Sequence, residues 1–219
     1  MNYMTWKKLL DNRIQIMPLE LAGRGRRINE PLYNSTEEAI NDIYNVIYKE
    51  LDGTPYAIFG HSMGTMLTYE LLRKITAKMH QEPVHVFFSG RYPPYIDAED
   101  KFTHLLPDEE FLAEIFELGG MDQEVLQCQE LISIFLPVLR SDYKLVETYK
   151  HQGDIAKINC DITILTGKRD SYVTRSGMLQ WQELTTGSYE FYEFDAGHFF
   201  INKFKEDVVD IVNKSLSRY

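Results

Sequence analysis

Five residues, Gly60-His61-Ser62-Met63-Gly64, restrict this chain more than any other stretch. They read G-x-S-x-G. Before them lies the short apolar run Pro55-Tyr56-Ala57-Ile58-Phe59, and after them Met66-Leu67-Thr68-Tyr69-Glu70-Leu71-Leu72, whose apolar residues recur at helical spacing. The pattern predicts a buried strand, a tight turn and a helix, the setting in which a serine is raised as a nucleophile. The glycines are expected on steric grounds, because strand and helix backbones crowd together on both sides of the serine. The turn sets Ser62 above the carboxyl end of a sheet, at the positive end of the following helix.

A chain of 219 residues holds one domain with a sizeable core, so a single domain spanning 1–219 is expected. The formal charge of −10 argues against nucleic acid as the main ligand, since phosphate neutralisation needs a basic surface. Cys128 and Cys160 show neither CxxC nor metal-type spacing, which suits a reducing compartment and predicts no metal site. No apolar run reaches membrane-spanning length, and the first residues lack the apolar core of a signal peptide. A cytoplasmic protein without a membrane partner is the expectation, and a monomer.

Taken in order, residues 5–10 read as a short helix and 14–19 as a strand leading into Ala22-Gly23-Arg24-Gly25-Arg26-Arg27. That loop lacks the third glycine and the following helix of a dinucleotide fingerprint. Arg24, Arg26 and Arg27 are read either as a solvated loop held by local ion pairs or as a phosphate contact, guanidinium being suited to phosphate. Ser35-Thr36-Glu37-Glu38 is a capping box, and Ala39, Ile40, Ile43, Val46 and Ile47 are expected to form the buried stripe of the helix it starts. Pro83-Val84-His85-Val86-Phe87-Phe88-Ser89-Gly90 reads as another strand with turn residues at its end. From 92 to 151 only helical segments are predicted: one from Asp108 to the stop at Gly119-Gly120, and one from about 122 towards Leu136, where Pro137 interrupts or restarts it. Phe111, Phe116, Ile134 and Phe135 there read as core of a helical subdomain. A long helical insertion between strands also reads as a lid over the site. Strands at 161–167 and 189–194 alternate with helices near 178–184 and 203–216. That rhythm makes an α/β protein, a mostly parallel sheet with helices on both faces.

A serine hydroxyl needs a base, and the base an orienting group, in the chain order Ser, Asp or Glu, His. His198, in Ala196-Gly197-His198-Phe199-Phe200 just past the final strand, fits the base. His61 sits inside the turn and cannot fold back on its neighbour. His80, His85, His104 and His151 fall on helix ends, a strand or the insertion and read as packing or surface residues. Asp170 lies just past the 161–167 strand; its rival Asp195 shares the histidine's own loop, whereas this geometry draws its acid from the preceding strand. Ser62, Asp170 and His198 therefore form the expected triad. The backbone N–H of Met63 is the expected oxyanion donor.

These motifs together resemble the type II thioesterases that accompany nonribosomal peptide and polyketide synthases, of the surfactin and gramicidin type, within the α/β-hydrolase fold. The resemblance rests on Glu20-Leu21-Ala22-Gly23-Arg24-Gly25-Arg26-Arg27, Gly60-His61-Ser62-Met63-Gly64, Leu106-Pro107-Asp108-Glu109-Glu110-Phe111, Leu139-Arg140-Ser141-Asp142-Tyr143 and Gly197-His198-Phe199-Phe200. Animal fatty-acid-synthase thioesterases are similar. The resemblance implies hydrolysis of wrong acyl groups from the phosphopantetheine arm of carrier domains. It implies no cofactor beyond the arm the substrate carries. The family's nucleophile, acid and base fall on Ser62, Asp170 and His198. Members begin with a strand and an F-P-x-A-G-G loop supplying a second oxyanion donor. Here that strand and loop are expected to be missing, the strand from between the 14–19 and 56–59 strands. The alternatives are a carboxylesterase or lipase sharing the triad, and a non-catalytic carrier-binding protein.

Overall fold

The computed structural model describes residues 3–51, 53–78, 80–96, 102–120 and 128–219. Four strands, β1 (Ala57–His61), β2 (His85–Ser89), β3 (Asp161–Gly167) and β4 (Tyr189–Phe194), lie side by side in chain order, and every pair is parallel. The inner strands read His-Val-Phe-Phe-Ser and Asp-Ile-Thr-Ile-Leu-Thr-Gly, with almost every residue buried, because helices cover both faces. The edge strands β1 and β4 are only half-buried over most of their length.

Period two sorts the strand residues between the faces. Val86 and Phe88 stand beside their register partners Ile162 and Ile164, and with them pack against Tyr69, Leu72, Met178 and Trp181. Trp181 stacks flat on Phe88, centroids 3.8 Å apart. Phe87 and Leu165 point the other way, onto Val208, Val209, Val212 and Trp6. The helices on the first face are α2 (Met63–Ala77) and α5 (Arg175–Leu179), and on the second α6 (Phe200–Lys203) and α7 (Lys205–Leu216).

Helix α1 (Thr36–Tyr48) starts as its sequence predicts: the Ser35 hydroxyl accepts the Glu38 N–H at 3.1 Å. The Glu38 carboxylate reaches back to the N–H of Asn34, one residue earlier than a strict capping box. Ala39, Ile40, Ile43 and Ile47 bury against Met66, Leu67 and Leu71 of α2. Val46 does not join them and is exposed, because it turns out on the flank of the stripe, about 60° from Ile43 at 100° per residue.

Other expectations are corrected. Residues 14–19 form no strand: β1 is the edge of the sheet, and among the described residues nothing ladders with them. Their apolar character goes into packing, with Ile16 against the Trp6 and Phe59 side of the core. The first helix is a 3-10 segment, Tyr3–Lys8, that drives Trp6 edge-on into Phe59 at 4.9 Å. The 178–184 helix is split into α5 and a 3-10 segment, Gln180–Leu184.

Between β2 and β3 the described residues hold α3 (Asp108–Glu117), α4 (Gln129–Thr148) and a 3-10 turn, Thr103–Leu105, and no strand. The part of the second predicted helix before Cys128 lies outside the described residues. Pro137 neither stops nor restarts α4, which runs through it. A proline removes one helical hydrogen bond, and tertiary anchoring on its C-terminal side offsets that. Val138 and Leu145 are buried, and Arg140 donates to the carbonyls of His104 and Leu106 and to the Asp108 carboxylate. Glu147 accepts the backbone N–H groups of Thr103 and His104. Phe111 is core, under the Arg140 guanidinium at 4.4 Å, but Phe116, Ile134 and Phe135 are exposed rather than buried. No described helix is long and apolar enough to cross a membrane.

Candidate active site

Ser62 follows β1 directly and carries φ 55° and ψ −119°; among the described residues it is the one non-glycine with positive φ. Such a conformation costs on the order of 1–3 kcal/mol and persists only where its surroundings hold it. The holding contacts come from β2: the Ser62 N–H donates to the Ser89 carbonyl at 2.8 Å. The Thr65 hydroxyl lies 2.8 Å from both the Gly60 and the Ser89 carbonyl oxygens and accepts the Ser89 N–H at 3.1 Å. The strand and helix backbones do cross at Gly60, where a Cβ would lie 2.5 Å from the Gly64 carbonyl oxygen. Gly64 is different: a Cβ there would meet nothing within 4 Å, so the steric need holds on one side of the serine only. Met63 is the first residue of α2, and its N–H has no acceptor within the helix.

The base and acid come from the loops after β4 and β3. His198 Nε2 lies 2.8 Å from Ser62 Oγ, and His198 Nδ1 lies 2.8 Å from Asp170 Oδ2. Asp170 Oδ1 takes the Tyr172 N–H at 2.9 Å, so both carboxylate oxygens are used. An ionised carboxylate only accepts. The ring hydrogen therefore sits on Nδ1, and the lone pair of Nε2 faces the serine hydroxyl. The Asp170 side chain is fully buried and that of His198 nearly so. The two loops are laced together: Lys168 N–H to the Phe194 carbonyl at 2.8 Å, Arg169 N–H to the Ala196 carbonyl at 2.9 Å. The rival Asp195 points to solvent and pairs with Arg169.

His61 lies closer to this chemistry than its place in the turn suggests. Its ring centroid is 5.1 Å from that of His198, and its Nδ1 meets the Ser89 hydroxyl at 2.8 Å. Burial first, and the neighbouring His198 charge second, hold its pKa well below the ordinary range. His61 therefore stays neutral beside the triad. Gly90 closes the wall: with φ 66°, it presents backbone where a Cβ would touch His61 at 3.0 Å and His198 at 3.4 Å. Sequence reasoning missed Thr65, Ser89 and Gly90. The signal was a small polar pair, Ser89-Gly90, closing an otherwise apolar strand.

The three arginines are not brought to the triad. Arg24 forks onto Asp142 of α4 at 2.8 and 2.7 Å, and Arg27 is shared by Glu30, Asp42 and the Glu20 carbonyl. Arg26 is almost fully exposed and reaches Glu20 at 3.2 Å. Arg26 and Arg27 are thus held by nearby acids, as the ion-pair reading expects, whereas the partner of Arg24 lies 118 positions away. His104 pairs with Glu147, His151 with Glu70, and His85 with the Thr163 hydroxyl.

The thioesterase domain model matches residues 1–216 of the chain. The chain belongs to the thioesterase family. Its relatives include the gramicidin S biosynthesis protein GrsT of Aneurinibacillus migulanus, 34% identical over 215 residues covering 96% of this chain and 82% of that one. Of solved structures, ClbQ from the colibactin NRPS/PKS pathway superposes with a TM-score of 0.94 at 37% identity, covering 99% of this chain and 91% of that one. BorB, a type II thioesterase from the borrelidin biosynthetic cluster, gives 0.87 at 30% identity, covering 97% and 85%. The fold of this thioesterase is thus the α/β-hydrolase fold, and the protein is a hydrolase of acyl thioesters.

Proposed function

We propose that this thioesterase removes acyl groups from the phosphopantetheine arm of carrier domains in a nonribosomal peptide or polyketide synthase, clearing arms that carry the wrong group. Ser62 attacks the thioester carbonyl while His198 takes its proton, and Asp170 holds the ring and stabilises the imidazolium. The Met63 N–H stabilises the oxyanion at the positive end of α2. Collapse of the tetrahedral species breaks the C–S bond, and His198 returns the proton to the leaving thiol. Water, deprotonated by the same ring, then attacks the acyl-serine; collapse releases the acid and restores the Ser62 hydroxyl.

The observation that carries this reading is the unbroken row from the Ser62 hydroxyl through both nitrogens of His198 to the buried Asp170 carboxylate. The pathway assignment is supported by the names of the relatives. Helices α3 and α4 are proposed as the lid, and the unpaired Cys128 and Cys160 suit a reducing cytoplasm.

A fluorophosphonate probe should label the folded protein, and labelling should vanish in Ser62→Ala. Asp170→Asn should lower kcat by about 10⁴-fold, whereas Asp195→Asn should leave it within about twofold. A simple ester turned over as well as an acyl-carrier substrate would favour a carboxylesterase instead. No labelling of folded protein would favour a non-catalytic binder.

A further inference from the structure

The chain has ten arginines, and nine of them pair with a carboxylate: Arg13, Arg24, Arg26, Arg27, Arg73, Arg140, Arg169, Arg175 and Arg218. Arg91 is the tenth, and among the described residues no carboxylate pairs with it. Arg91 is partly buried, and desolvation pulls its pKa down to about 10. The titratable group beside it is the Tyr149 hydroxyl, a neutral phenol that donates to Glu70, and Glu70 is already shared with Arg73 and His151. In a chain of net charge −10, acids are plentiful, yet among the described residues none pairs with this guanidinium. A guanidinium held partly out of water without a counter-ion favours the arrival of an anion.

The place of Arg91 says what that anion belongs to. It leaves the carboxyl end of β2 one residue after Gly90, whose backbone walls the rings of His61 and His198. Two residues back, the Ser89 carbonyl holds the N–H of Ser62. The Arg91 carbonyl is pinned by the Trp181 indole N–H at 2.7 Å, so its backbone is set by the core rather than by a loop. Tyr149 packs on the same apolar cluster as Met63, the residue after the nucleophile. Arg91 therefore leaves the same rim of the sheet that carries the triad, the side on which a bound thioester has to lie.

We propose that Arg91 binds an anionic oxygen group carried by the substrate of this thioesterase, two guanidinium N–H groups meeting two oxygens of a carboxylate or phosphate. This rests on the reading of Ser62 as the nucleophile. Two sources share the chemistry: a free carboxylate at the far end of a dicarboxylic acyl chain, and the phosphate of the pantetheine arm.

The test is calorimetry in the Ser62→Ala background, which keeps the ligands intact. It compares succinyl- with butyryl-N-acetylcysteamine, and 4′-phosphopantetheine with pantetheine. At least one anionic ligand should bind about 10- to 100-fold more tightly than its neutral partner. Adding Arg91→Gln should erase that preference, and Arg91→Lys should restore part of it. A preference confined to the succinyl pair identifies the acyl carboxylate, and one confined to the phosphorylated pair identifies the arm. The inference is overturned if neither pair is distinguished, or if Arg91→Gln weakens all four ligands alike. Turnover of butyryl-N-acetylcysteamine by the unmodified protein checks the enzymatic reading separately. Its absence would sink that reading while the binding contrast still decides the role of Arg91.

Discussion

Gly167→Ala tests whether the triad is assembled by the close contact of two loops. Gly167 ends β3, and a Cβ there would lie 2.4 Å from the Gly197 carbonyl oxygen and 2.6 Å from that of Ala196. Both obstacles are backbone, and ordinary contact begins near 3.4 Å, so one loop must withdraw by about 1 Å. The loop that yields carries His198, and the one that stays carries Asp170. A shift of that size breaks the 2.8 Å contacts at Nδ1 and Nε2, since both side chains are too buried to follow freely. Misplacement by about 1 Å costs about 10²-fold in rate, or about 2.7 kcal/mol of transition-state stabilisation. The expected result is a kcat lowered by about 100-fold, with KM changed by less than about threefold, because the substrate contacts themselves do not move. Thiol release from a short acyl thioester measures this, and a melting curve establishes that the variant is folded at the assay temperature. Overpacking should also lower stability by about 1–3 kcal/mol. A folded Gly167→Ala protein with kcat within about threefold of the parent would refute the reasoning.

Two further outcomes follow from buried groups and close contacts. His85 is almost fully buried, and burial pulls its pKa down to about 4, while His61 is held well below its ordinary value by the same cause. The unfolded chain takes up these protons near pH 6.5 and the folded chain does not, so their stability contribution is full above about 6.5 and falls as pH drops towards 4. For His85 the loss is about 3 kcal/mol across that window, readable as a shift in urea midpoint. His85→Gln should flatten the slope, and an unchanged slope would reject the assignment. At the nucleophile turn, Gly60→Ala should lower the melting temperature, its Cβ lying 2.5 Å from the Gly64 carbonyl oxygen. Gly64→Ala, meeting nothing within 4 Å, should be neutral or stabilising by up to about 1 kcal/mol. Equal destabilisation by the two would show that the crossing is not at Gly60.

Local pattern was enough for the parts of this protein that obey a short period or a short motif. The alternation of apolar runs with amphipathic stretches reads out the parallel sheet, and Gly60 to Gly64 reads out the turn bearing Ser62. The position of Asp170 after one strand and His198 after the next is legible because a parallel sheet brings every strand's carboxyl end to one rim. What the sequence could not supply is set by partners far away in the chain. Residues 14–19 have strand composition, yet a strand exists only where a neighbour ladders with it, and β1 is the sheet edge. Val46 carries the right residue type on the wrong flank, and Pro137 sits in a helix that tertiary anchors carry through. Arg24 meets Asp142 across 118 positions of sequence, whereas Arg91 meets no described acid at all. Nothing in the composition separates those two guanidinium groups. Charge is a property of the residue, but its partner and its dielectric surroundings exist only once the chain has folded around it.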